Sequence, residues 1–200
     1  MQTMERQSVA PVHPKSRGPA PWPVEFYRSA VGKKWVMAVT GILLMGYVFF
    51  HMLGNLKVYL GAEDLNHYGE WLRDLLVPFF PRTVTLWLLR IGLIAAFVFH
   101  IHAAYGLTRI NRQARAAGGY ISKRDYQAAN AASRSMRYTG VVILLFLIFH
   151  LADLTWGTVN PDFVRGDVYR NLVASFERPA VSAIYIVANI ALGLHLFHGG

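Results

Sequence analysis

Four stretches of the chain stay apolar for roughly 20 residues: about Trp35 to Leu56, Thr85 to Leu107, Tyr138 to Leu154 and Val181 to Gly200. A hydrocarbon layer about 30 Å thick takes about 20 residues of α-helix to cross, so each stretch is expected to be a spanning helix. Between them the pattern changes. Asn66 to Leu76 sets Trp71, Leu72, Leu75 and Leu76 along one side, the spacing of a helix lying at the interface, and Pro78 and Pro81 then break the chain. Asp167 to Phe176 has room for a similar helix before Pro179, and Tyr120 to Ser135 suits a short helix or a lead-in to the third span. The polar start, with prolines at positions 11, 14, 19, 21 and 23, suits an extended tail and lacks the apolar core of a signal peptide. No internal repeat stands out. The pattern therefore predicts an all-α integral membrane protein: a proline-rich tail over residues 1–30, then a transmembrane helical bundle over 31–200 with four spans.

Composition agrees, because 54% hydrophobic against 16% charged residues is too apolar for a soluble domain of 200 residues. The absence of cysteine excludes disulfides, thiolate zinc sites and any iron–sulfur cluster held by this chain, leaving histidine as the soft metal ligand. The net charge of +9 is not spread evenly. It falls on the N-terminal segment and on the 108–137 loop, while the 57–84 and 153–180 loops each carry one more acid than base. A basic surface for nucleic acid has no reason to alternate with the spans, whereas the positive-inside rule demands it. Nucleic acid is therefore excluded as a partner, and the N-terminus and the 108–137 loop are assigned to the cytoplasm.

Six of the eight histidines (His51, His100, His102, His150, His195 and His198) fall within the spans or at their edges. An ionisable group at that depth costs a few kcal/mol unless a partner offsets it, and it marks function more often than packing. No aspartate, glutamate or lysine is expected deep inside, which argues against a proton relay or transporter. Counting residues along alternating spans sets His51 level with His150 towards the outer side, and His100 or His102 level with His195 towards the inner side. Two imidazoles on different helices at one depth are what a low-spin b-type haem needs, and two such levels give a two-haem electron path. Small residues such as Gly41, Gly46, Ala95 and Gly193 leave room for a flat macrocycle, and Lys57, Arg90, Arg109 and Arg137 are candidate cations for haem propionates.

The segments VGKKWVMAVTGILLMGYVFFHMLGNLKVYL from 31, LWLLRIGL from 86, FHIHAAYGLTRINRQAR from 99, YTGVVILLFLIFHLADLTWG from 138 and LGLHLFHGG from 192 resemble the membrane cytochrome b subunit of succinate:quinone oxidoreductases (succinate dehydrogenase/fumarate reductase, complex II), in its single-chain two-haem form. The resemblance implies a five-span bundle, four spans of which lie in this chain, acting as the non-catalytic electron-transfer subunit of the complex. It implies cytoplasmic-face partners, a flavoprotein and an iron–sulfur subunit, with electrons passing through two b haems to quinone, usually menaquinone, in the cytoplasmic membrane, and it leaves room for a higher oligomer of the complex. Carried over residue by residue, it pairs His51 with His150 at the outer haem and gives His195 to the inner haem. Spacing favours His100 as the partner of His195, and local similarity around HAAYGL favours His102; His100 is taken, with His102 as the alternative. For quinone, the resemblance points to acidic and polar groups between the first two spans: Glu70 and Glu63, with His67, Asn66 and Trp71. Two other readings stay open: a haem-poor anchor with a quinone site on the cytoplasmic side, and a two-haem cytochrome b serving another oxidoreductase.

Overall fold

Ser29 starts the first long helix. Its hydroxyl accepts the N–H of Gly32 at 2.9 Å, the usual way of satisfying a helix's first unpaired donors. In the computed structural model, which describes residue 18, residues 20–116 and residues 132–199, the short helix α1 (Trp22–Arg28) meets α2 (Ala30–Asn55) at this corner. Lys33 closes the joint by donating to the carbonyls of Tyr27 and Arg28, both at 2.9 Å, at the end of α1. A 3-10 turn, Leu56–Leu60, and Gly61, at a φ of 106° that favours glycine, lead into α3 (Ala62–Arg73). The remaining helices are α4 (Val84–Ala116), α5 (Ala132–His150) with a π-helical turn Leu151–Thr155, α6 (Val168–Phe176) and α7 (Pro179–Gly199).

Every regular element among the described residues is helical, and four helices are long and apolar enough to cross a membrane: Ala30–Leu60, Val84–Gln113, Ser135–Thr155 and Pro179–Gly199. Their ends lie up to six residues beyond the uninterrupted apolar runs, because a helix continues into polar residues as long as nothing breaks it. The expected interface helices are also present. Helix α3 ends at Arg73 rather than at Leu76, which turns into the left-handed region at a φ of 63°. The expected helix over 120–135 lies largely outside the described residues, as does most of the N-terminal tail.

Between 6% and 22% of each span's most apolar window is buried inside the protein, so most of its apolar surface is left for lipid to cover. Helices α2 and α4 pack along each other, as do α5 and α7, while the two pairs barely touch through their backbones. The first pair carries His51 and His100, the second His150 and His195.

Spans one and three also share a pattern that the apolar runs hide. Met37, Thr40, Gly41, Phe50 and His51 recur as Met136, Thr139, Gly140, Phe149 and His150, each displaced by 99 positions. The expectation of no internal repeat is thus corrected: the two spans share these five positions, of which Thr40 and Thr139 are buried.

The end of the bundle beyond His51 and His150 is closed by α3 and α6. Asn66 donates to the Asp167 carboxylate at 3.0 Å and accepts the N–H of Tyr169 at 3.0 Å, while Asp167 also accepts the N–H of Arg170 at 3.0 Å as the cap of α6. The Arg170 amide and then the Asn66 side chain hold the Asp167 carboxyl below its ordinary value of 3.8. A carboxyl with a depressed folded-state value stabilises the docked state above its unfolded value, and the effect fades as pH falls through the folded one. Amide exchange at Tyr169 and Arg170 is therefore expected to accelerate relative to the spans as pH drops below about 4. The same acceleration should appear at neutral pH in Asp167→Ala; unchanged exchange in both would show that the brace contributes nothing.

Candidate functional site: two imidazole pairs between the helix pairs

Histidine in a helix facing lipid must find a partner, and here four of them find one another. The His51 and His150 rings lie with centroids 5.9 Å apart and planes at 87°. Those of His100 and His195 lie 6.5 Å apart at 63°. Each pair joins one helix of the first hairpin to one of the second.

The imidazoles are also oriented. Thr40 gives its hydroxyl proton to the Val36 carbonyl at 2.6 Å, so its oxygen accepts from Nδ1 of His100 at 3.2 Å. Thr139 repeats this on the other hairpin, donating to the Ser135 carbonyl at 3.0 Å and accepting from Nδ1 of His195 at 3.1 Å. Both threonines are buried. Nδ1 of His150 lies 3.3 Å from the Tyr185 hydroxyl, and His51 stacks on Tyr47 with centroids 5.4 Å apart. A proton fixed on Nδ1 leaves the Nε2 lone pair for a metal. Glycine keeps the rings uncrowded: a Cβ on Gly41 would sit 3.5 Å from Cε1 of His100, and one on Gly140 would sit 3.6 Å from Cε1 of His195.

This donor set suits an iron held between two imidazoles. Metal–nitrogen bonds of about 2 Å on each side put the ring centres about 6 Å apart, which both separations match. Neutral nitrogen donors on opposite sides, with little backbone contact between the helix pairs, fit a b-type haem. Among the described residues no group of three or more histidines and carboxylates converges, so a multi-ligand metal site of the zinc type is not formed.

His102, the alternative on α4, is turned away from His195. Its Nδ1 bonds the Tyr27 hydroxyl and its ring stacks on Tyr27 with centroids 5.6 Å apart. His198 bonds Ser135 at 2.8 Å. Of the residues considered for quinone, Glu70 accepts from Arg73 and Arg82 in a half-exposed ion-pair cluster that also holds Asp74. Trp71 stacks on Tyr68 with centroids 5.8 Å apart and is 51% exposed, while His67 and Glu63 are exposed and Asn66 is taken up in the α3–α6 brace. Of the four candidate cations, Lys57 lies over Tyr68, Arg90 over Trp87 and Arg109 over Tyr105.

One residue counted with the outer loop belongs to the site. Asp153 is wholly buried at the end of the third span, where its carboxylate accepts from Ser175, Arg178 and Tyr185. The expectation that every acid stays in the loops is thereby corrected. The signal in the sequence was its spacing of three from His150, one helical turn, which sets it on the histidine's side of the helix.

The threonine partners make a direct forecast. Thr40→Val and Thr139→Val keep the shape but remove the hydroxyl acceptor from Nδ1 of His100 and His195, and each is expected to cost about 1 kcal/mol in detergent-solubilised unfolding. Serine at either position should restore most of that loss. Equal stability of the valine and wild-type proteins would mean that neither bond orients its ring.

Residues 110–200 match the family model of the succinate dehydrogenase/fumarate reductase transmembrane subunit, a segment that holds His150, His195 and both spans of the second hairpin. No curated protein and no solved structure matches the chain. With its four apolar helices, the match shows a multi-pass membrane protein whose second hairpin is similar to the transmembrane subunit of succinate dehydrogenase/fumarate reductase.

Proposed function

We propose that the chain is the membrane-anchoring cytochrome b subunit of a succinate:quinone oxidoreductase, holding two b haems and passing electrons from an iron–sulfur subunit to quinone, with menaquinone the expected acceptor. His51 and His150 hold one haem, and His100 and His195 hold the other. The observation that carries this reading is the presence of two imidazole pairs, each bridging the two hairpins at a separation suited to one iron. When bound, the haems supply two one-electron relay sites at different depths.

The chain's own residues do the rest. Thr40 and Thr139 keep Nδ1 protonated, so the free nitrogen of each inner histidine points away from its threonine. Because this chain has no cysteine, the clusters that feed it belong to a partner subunit, and the flavin to a further one. The basic N-terminal segment and 108–137 loop give the cytoplasmic face to those partners by the positive-inside rule. At the other end His67, Glu70 and Trp71 lie on one side of α3, three and four residues apart. There an indole and an imidazole can contact a quinone ring, while Glu70 is paired with Arg73 and Arg82.

The test is pyridine haemochrome quantitation and a reduced-minus-oxidised spectrum of the purified complex. Two b haems per chain are expected, and no b-type absorbance would refute the reading. His51→Ala and His195→Ala should each remove one haem and leave the other, whereas His102→Ala should keep both. Trp71→Ala should raise the KM for quinone several-fold at unchanged haem content; an unchanged KM would place the quinone elsewhere.

A further inference from the structure

His150 differs from the other three paired histidines in what stands behind it. Helix α5 ends at this residue and continues into a π-helical turn, with the N–H of Trp156 reaching the Leu151 carbonyl at 2.8 Å. The widened turn carries Asp153 into the interior, where no part of it is exposed. Its carboxylate accepts from the Ser175 hydroxyl at 2.7 Å, from Arg178 and from the Tyr185 hydroxyl at 3.1 Å. Arg178 is itself held by the Val159 carbonyl at 2.8 Å, and Ser175 is fully buried.

Proton accounting gives the chain a direction. A tyrosine hydroxyl has one proton, and a carboxylate can only accept, so Tyr185 donates to Asp153. Its oxygen is then left to accept from Nδ1 of His150. The line from His150 runs through a phenol to a buried carboxylate. The lines from His100 and His195 run through a threonine hydroxyl to a neutral helix carbonyl. The repeat that makes the two hairpins alike thus breaks at this point.

We infer that Asp153 and Tyr185 are positioning residues for His150, fixing its proton on Nδ1 and strengthening Nε2 as a donor beyond the histidines of the other level. A carboxylate behind a ligating imidazole raises ligand basicity and favours the oxidised metal. The Arg178 guanidinium offsets the net charge, so the influence reaches the ring as an oriented dipole along the hydrogen bonds. The link acts on the His150 level alone. It rests on the proposal that the histidine pairs hold haem.

Tyr185→Phe is the informative variant. The ring is packed by Phe146 at 5.0 Å and Phe176 at 4.8 Å between centroids, contacts that phenylalanine keeps, while the link to Asp153 is cut. Optical redox titration of the whole complex should show one of the two haem potentials shifted upward and the other unmoved. Asp153→Asn should shift the same haem in the same direction, and loss of that haem alone in either variant also supports positioning. Both haems present with unmoved potentials, or both potentials moving together, would overturn the inference. Absence of b haem from the wild-type complex, seen before any variant is made, would instead overturn the functional proposal on which it rests.

Discussion

The constraint on which this molecule turns is the cost of an imidazole at membrane depth. A group that can hydrogen-bond and ionise has no water there to satisfy it, so each of the four paired histidines must be answered from within the protein. Threonine answers two of them, a tyrosine backed by a carboxylate answers a third, and a stacked tyrosine lies against the fourth. Those contacts hold the rings in the space between the hairpins. Packing within each hairpin is close, and the space between hairpins is bridged by rings. A bundle built for packing alone would have closed that space with leucine and alanine.

The two-hairpin design also explains how one chain makes two similar sites. Each hairpin brings an early-span threonine to the inner histidine of its second helix, and a histidine eleven residues after that threonine to the outer level. Facing the hairpins against each other then produces one pair per level. What distinguishes the levels is added around this frame: α6 and the segments on either side of it supply Ser175, Arg178 and the Asn160 clasp that donates to the Asn171 carbonyl at 3.2 Å, and they close over Asp153.

Much of this was legible in the sequence, because two periodicities carry it. Lipid thickness sets the length of each span, so the four helices could be read as runs of apolar residues. Their alternating direction sets the depth of His51, His100, His150 and His195. The choice between His100 and His102 needed the fold, since both lie on α4 and only the packing of α1 decides which one Tyr27 takes. Asp153 was misread for a similar reason. An acid at the end of an apolar run looks like the first loop residue, and its burial depends on Ser175 and Arg178, more than 20 residues further on. The repeat escaped because few positions carry it.

The central claim is that iron sits between two histidines at both levels. Near-infrared magnetic circular dichroism of the oxidised complex reads axial ligation directly, without any substitution. The account predicts that the whole low-spin ferric haem signal, two haems per chain, has the charge-transfer band of bis-imidazole coordination. A histidine–methionine or water-ligated signal at either haem, or a complex with no haem, would contradict it.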